Sequence, residues 1–192
     1  DDEFAQSVDL ADVDELKEKI QEHILRSKRQ IAQEALNERL LEKLLESSTV
    51  HVADTAWEGV AERRLAEIRE ELKKQGSTLA EYAKHNGMEE EDFVSAQKNE
   101  ARTQVQRAVL IERIFNKEGM KVTDQDASEQ FVRIAYENRV PEADIKKFAK
   151  EYGPQIRDEV VYRTMYSKVM RLINQEAKIT EVEVPSGQGG GN

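Results

Sequence analysis

Apolar residues recur along this chain at the three- and four-residue spacing of amphipathic helices, with few interruptions. Asp12, followed by Glu15, matches a capping box, and helical signals continue from there to about Ser47. We therefore predict a first helix over 12–47, about 50 Å long at the usual helical rise. Its apolar residues change face along its length, so we expect its two ends to dock against different partners. The first group is Leu16, Ile20, Ile24 and Ile31, and the second is Leu40, Leu41, Leu44 and Leu45.

The segment over 54–118 predicts a helical hairpin. Asp54 or Thr55 can cap a helix that Gly76 ends, and a short helix follows over 78–85. Another long helix over 89–117 ends before Gly119. The expected contact between the two long helices joins Leu65, Ile68 and Leu72 to the stretch from Phe93 to Val105.

The rest of the chain predicts a second group of helices. Thr123 and Asp126 begin one helix, which Val140-Pro141 interrupts. A helix over 142–152 then ends at Gly153, and Pro154 begins a last helix that extends to Ala177. The chain is thus predicted to be all-α, with a disordered Gly-rich tail over 185–192.

The amino-acid composition limits the kinds of function that this chain can have. Hydrophobic residues make up 38% of the chain and charged residues 35%, which favours thin cores over one thick core. The net charge of −10 argues against a nucleic-acid partner, so the basic stretch Arg26–Arg29 is interpreted as a solvated helix face. No run approaches the length of a membrane span, and we predict no membrane partner.

The sequence offers no candidate for catalysis, for metal binding or for a cofactor. The absence of cysteine excludes disulfides and thiolate chemistry. His23, His51 and His85 each lack a second ligand at metal-site spacing and a nucleophile motif. The acidic run Glu89–Asp92 opens a helix, where the helix dipole favours negative charge. We therefore expect no catalytic residue, no metal and no cofactor.

Several short segments, in their order and spacing, carry a resemblance to a known family. The segments are Asp1 to Ala5, Asn37 to Leu45, Val50-His51-Val52, Gln75-Gly76, Glu81-Tyr82, Lys121 to Asp124, Val140-Pro141 and Ala177-Lys178-Ile179. Together they cover nearly the whole chain and resemble trigger factor, a family of bacterial chaperones that associate with ribosomes, although no single segment is specific alone. One departure is Ala53, where the family usually has proline before its first arm.

The resemblance implies an elongated helical body with two projecting arms, the C-terminal domain of the family. Within one domain over 1–184, residues 12–47 would be the linker helix and 54–118 the first arm. Residues 123–153 would then be the second arm and 154–177 the closing helix. The expected function is that of an ATP-independent chaperone holding unfolded or nascent polypeptides in a cradle between the arms. The expected location is the cytoplasm, and the expected state is a monomer or weak dimer.

The resemblance also implies what this stretch does not do. The family's prolyl-isomerase domain and its ribosome-docking loop would lie upstream of Asp1, so neither activity is expected here. Two alternatives stay open: a helical scaffold or adaptor without chaperone action, and a periplasmic chaperone of outer-membrane proteins with a related helical architecture.

Aromatic side chains that the helical stripes do not need for their own contacts are the candidate client-binding residues. Rings give a large contact area at a low cost in conformational entropy. The candidates are Trp57 at the base of the first arm, and Phe131, Tyr136, Tyr162 and Tyr166 on the second arm and closing helix.

Overall fold

A computed structural model describes residues 10–180 of the chain. Within these residues it contains six α helices and no strand, which confirms the all-α prediction. The helices are α1 (Val13–Glu46), α2 (Asp54–Lys74), α3 (Leu79–His85), α4 (Glu90–Lys117), α5 (Asp124–Glu137) and α6 (Ile145–Glu176), with a 3-10 turn at Glu142–Asp144. The segment Asp1 to Ala5 and the predicted disordered tail, 185–192, lie outside the described residues.

The chain divides into two compact units, Asp1–Arg113 and Ile114–Asn192. The first unit contains α1, α2, α3 and most of α4, and the second contains α5 and α6. The limits of the two arms and of the closing helix remain predictions.

Helix α1 begins as the capping signal predicts. The Asp12 carboxylate accepts hydrogen bonds from the backbone N–H groups of Asp14 and Glu15, both at 2.9 Å. The Glu15 carboxylate accepts one from the Ala11 N–H at 2.7 Å. These bonds satisfy N–H groups that have no partner inside the helix.

The C-terminal end of α1 and the link after it are held against α4. Leu41 is fully buried, and Glu38 forms an ion pair with Arg107 of α4 at 2.8 Å. The Val50 carbonyl accepts a hydrogen bond from Gln106 at 3.2 Å. The expected docking of the N-terminal end is not seen in the described part of the chain, because its isoleucines remain exposed.

Helices α2, α3 and α4 form the predicted hairpin. Its core consists of Leu65, Leu72 and Leu79, against which Ile68, Phe93 and Val94 pack. The expected cap at Asp54 or Thr55 is wrong, since the N-cap residue is Ala53, which has no side chain to cap with. Asp54 lies in the first helical turn instead, and its carboxylate accepts a hydrogen bond from the Trp57 indole N–H at 3.2 Å.

Four helices end in the same hydrogen-bonded turn, in which one residue adopts a left-handed conformation. In α2, α3 and α4 that residue is glycine, with φ of 74° at Gly76, 75° at Gly87 and 63° at Gly119. In α5 it is Arg139, with φ of 57°. A side chain in this conformation costs about 1–2 kcal/mol, so the end of α5 carries strain that the hairpin avoids.

Helix α6 is continuous from Ile145 to Glu176, so the predicted helix end at Gly153 is wrong. Pro154 lies inside the helix, where it removes one backbone hydrogen bond at a cost of about 3 kcal/mol. Apolar residues on both sides of Pro154 compensate for this loss: Phe148 contacts Phe131 of α5, and Val160 is buried. The packing of α6 therefore overrides a local signal that ordinarily ends a helix.

Candidate functional site

An ion pair joins α5 to α6 at the start of α5. The Lys168 ammonium of α6 lies 2.6 Å from the Asp126 carboxylate of α5 and donates a hydrogen bond to the Lys121 carbonyl at 3.0 Å. Asp126 is also the acidic partner of Thr123 in the predicted capping box. The hydrogen bond from Lys168, followed by those from the Thr123 side chain and backbone, lowers the pKa of Asp126 to about 2. One carboxylate thus caps α5 and ties it to α6.

A second ion-pair cluster fixes the other end of α5. The Arg163 guanidinium of α6 lies 2.6 Å from Glu137 of α5 and 2.7 Å from Glu159, one turn earlier on α6. The hydrogen bond to Glu137 is the largest of the effects that raise the pKa of Arg163. Ion pairs therefore join the two helices at both ends of α5.

Phe131 of α5 and two residues near the start of α6 form a row of rings, which we call the aromatic ridge: Phe131, Phe148 and Tyr152. The ring centroids of Phe131 and Phe148 are 5.6 Å apart, and those of Phe148 and Tyr152 are 5.1 Å apart. The ridge runs from the half-buried Phe131 to Tyr152, which is 45% exposed. Tyr152 donates a hydrogen bond to Glu151, which raises the pKa of its phenol. The ridge thus offers an apolar surface that ends in a polar group.

Four of the five predicted residues belong to the second unit, and within it they do not form one cluster. Phe131 belongs to the ridge, whereas Tyr136 lies about 140° around α5 from it and is 55% exposed. Tyr162 and Tyr166 contact each other on α6 with ring centroids 6.5 Å apart, and both are half-buried. Trp57 belongs to the other unit, where it is half-buried beside Asp54.

Sequence reasoning missed Phe148 and Tyr152 as surface candidates. The expected helix end at Gly153 placed both residues at the end of a separate short helix. Their spacing of four was the available signal, because residues four apart on a helix are neighbours.

The hairpin carries a surface depression of about 710 Å³ at the start of α4. It contains none of the five predicted residues, and its carboxylates lie where the helix dipole favours them. Its lining residues are Glu89, Glu90, Glu91, Val94, Ser95 and Lys98. Across residues 10–180, no cluster of three or more potential ligands could hold a metal ion. In the same range, no helix is both long and apolar enough to cross a membrane.

Comparison with known proteins decides the family. The model of the bacterial trigger factor protein C-terminus matches residues 12–175. This chain belongs to the trigger factor C-terminal family. The match confirms the resemblance noted in the sequence. The matched region is the C-terminal, chaperone part of trigger factor and not its isomerase domain. This agrees with the expectation that the chain is not an enzyme.

Curated trigger factors are similar to most of this chain. The protein of Shouchella clausii is 30% identical over 146 residues, covering 74% of this chain and 34% of that protein. The protein of Carboxydothermus hydrogenoformans is 27% identical over 179 residues, covering 93% and 41% respectively. That of Thermomicrobium roseum is 28% identical over 179 residues, covering 91% and 36%. The chain thus spans between 34% and 41% of the length of these trigger factors. No solved structure matches it.

Proposed function

We propose that this chain is an ATP-independent chaperone module that holds apolar segments of unfolded or nascent polypeptides on exposed aromatic side chains of α5 and α6. Membership of the trigger factor C-terminal family supports a chaperone-type function. The observation that carries the finer proposal is the exposure of Tyr152, at the end of the ridge, and of Tyr136, at 45% and 55%.

The chemistry of these side chains suits weak and varied clients. Tyrosine presents an apolar ring for contact and a hydroxyl that can exchange its hydrogen bond between water and a client backbone. Buried apolar residues such as Ile134 and Val169, together with the ion pairs of Lys168 and Arg163, keep α5 and α6 ordered before a client binds, which limits the ordering cost of binding. The net charge of −10 favours solubility of a protein that exposes such rings.

The wider setting follows from the family and is part of the same proposal. The chain would act in the cytoplasm as a monomer or weak dimer. Other parts of a longer trigger factor would supply prolyl isomerisation and ribosome docking, since the chain spans only 34% to 41% of its relatives.

Suppression of aggregation tests the proposal. A chemically denatured protein is diluted into buffer with and without the chain, and light scattering is followed in the absence of nucleotide. We expect suppression by the wild-type chain and loss of most of it in the Tyr136→Gln/Tyr152→Gln variant. Both side chains are exposed, so the thermal midpoint should stay nearly unchanged.

Tyr82→Gln is the matched control. Tyr82 is 41% exposed, but it lies on α3 in the other unit, where its ring meets Phe93 edge-on at 5.6 Å. This variant should suppress aggregation like the wild type. Equal suppression by all three proteins would show that the exposed tyrosines of α5 and α6 do not hold clients. No suppression by the wild-type chain would favour the scaffold alternative. A requirement for ATP would contradict the mechanism.

A further inference from the structure

Helix α6 is packed unevenly along its length. The ion pairs that join it to α5 arise in its second half, from Arg163 and Lys168. Residues 145–159, all within the described part of the chain, include no buried side chain. The first half of α6 therefore lacks the anchors of the second. The buried residues of the second half are Val160, Thr164, Val169 and Met170.

The first two turns of α6, which we call the flap (Ile145–Tyr152), are attached to α5 through few groups. The ring of Phe148 contacts that of Phe131 on α5, with 5.6 Å between the centroids. Ile145 and Phe148 are half-buried, and the other residues of the flap are exposed. In the described structure the N-cap residue Asp144 makes no side-chain hydrogen bond to the start of the helix. The flap thus depends largely on one ring contact.

The flap ends at two residues that are poorly suited to a helix interior. Pro154 has no N–H, so the Lys150 carbonyl lacks its helical donor, and the proline ring crowds that carbonyl. Gly153 regains more backbone freedom than any other residue when a helix opens. A Cβ at Gly153 would meet no packed neighbour within 4 Å, so no contact at this point resists bending. The backbone of α6 is therefore easiest to bend between the flap and the anchored half.

We propose that the flap turns at Gly153–Pro154 and separates from Phe131 while the second half of α6 stays packed. Opening breaks the contact between Phe131 and Phe148, and both half-buried rings become more exposed. The motion itself needs no client. Its use, which is to offer clients a larger apolar surface, rests on the proposed function.

Two other motions differ from a hinge in the pattern of amide protection that they produce. Fraying of a helix end gives protection that rises gradually from Ile145 onward. Opening of the whole of α6 gives equal protection on both sides of Pro154, and the buried side chains after Pro154 oppose it. A hinge gives a step in protection at Gly153–Pro154.

Hydrogen exchange of the whole chain, followed by NMR without any client, is the test. The amides of 149–153 should exchange at least about 100-fold faster than those of 164–170. Their exchange should depend little on low concentrations of urea, because a local opening exposes little surface.

Variants assign the motion to the hinge. Gly153→Ala/Pro154→Ala should slow the exchange of 149–153 at least about tenfold, because both changes favour the helix. Phe148→Ala should speed the exchange of the same amides and leave 164–170 unchanged, since it removes the ring contact with α5. Gly59→Ala is the matched control, because Gly59 also lies inside a helix without a packed neighbour within 4 Å of a Cβ, but in the other unit. It should leave the exchange of 149–153 unchanged.

Two protection patterns would overturn the flap: equal protection across Pro154, and a gradual rise from Ile145. Exchange of 149–153 that Gly153→Ala/Pro154→Ala leaves unchanged would also overturn it, since the hinge would then lie elsewhere.

The aggregation assay tests the use of the flap by clients. Gly153→Ala/Pro154→Ala should suppress aggregation less well than the wild type, because a smaller fraction of the chain is open. Equal suppression by this variant would show that clients do not use the opening. Failure of the wild-type chain to suppress aggregation would instead contradict the proposed function, and the exchange measurements would still decide whether the flap opens.

Discussion

The α2–α4 hairpin and the α5–α6 pair solve the same packing problem in different ways. In the hairpin, leucines from α2 and α3 form a buried core with Phe93 and Val94 of α4, and glycines end its helices. The α5–α6 pair also buries apolar residues, among them Ile134 of α5 and Val169 of α6, but charged side chains add ties at both ends of α5, and a strained Arg139 ends α5. The difference shows that ion pairs can supplement an apolar helix contact while aromatic side chains stay exposed at the surface.

The largest difference should appear when an apolar side chain of the hairpin core is removed. Leu72→Ala should lower the free energy of unfolding by about 2–5 kcal/mol, because Leu72 is only 7% exposed and its loss leaves a cavity. Urea unfolding followed by the fluorescence of Trp57, the single tryptophan of the chain, reports on this unit. Leu25→Ala on α1 is the control and should change stability little. A small loss for Leu72→Ala would mean that the hairpin does not depend on its leucine core.

The hairpin was also the part that the sequence predicted best. Its helix ends carry glycines at left-handed positions, and Thr78, where the predicted short helix begins, is the N-cap of α3. The spacing of Leu65 and Leu72 identified the buried face correctly. These signals are local, so periodicity and turn chemistry were sufficient for the helix ends and the buried face, although they placed the cap of α2 at the wrong residue.

The α5–α6 pair was predicted less well because its decisive interactions are not local. Pro154 indicates a helix start within its own neighbourhood, but packing of α6 on α5 keeps the helix continuous. The ion pair between Lys168 and Asp126 joins residues far apart in the sequence, and no periodic pattern predicts it. The contact between Phe131 and Phe148 was missed for the same reason, since the two rings meet only after the helices pack.

Exchanging the turn residues of the two regions should change the free energy of unfolding by less than Leu72→Ala does, and in opposite directions in the two regions. Arg139→Gly should raise the free energy of unfolding by about 0.5–1 kcal/mol, since glycine removes the cost of a left-handed side chain but enlarges the unfolded ensemble. Gly76→Ala should lower it by about 1 kcal/mol. A Cβ at Gly76 would meet no atom within 4 Å, so that effect is purely conformational. Thermal unfolding by circular dichroism measures both, and a gain for Gly76→Ala would show that the turns do not distinguish the two regions.

The smallest expected effect on stability comes from the ionisation of two capping carboxylates, one in each region. In the hairpin, hydrogen bonds from the Thr78 backbone and from the Ser77 and Thr78 side chains lower the pKa of Glu81. In the α5–α6 pair, Lys168 joins Thr123 in lowering the pKa of Asp126 from 3.8 to about 2. Because folding lowers this pKa, ionised Asp126 stabilises the fold above pH 4 or so, and that contribution is lost as the pH falls through about 2.

The two carboxylates should differ in their response to salt. The Lys168 ammonium carries a charge, so added salt should raise the pKa of Asp126 towards its ordinary value. The partners of Glu81 are neutral, so its pKa should change little. Carboxyl carbon shifts followed by NMR during titration at low and high salt measure both values directly. Lys168→Met should remove the salt response of Asp126 and leave that of Glu81 unchanged. Equal responses of the two carboxylates in the wild type would show that the Lys168 tie is not what separates the α5–α6 pair from the hairpin.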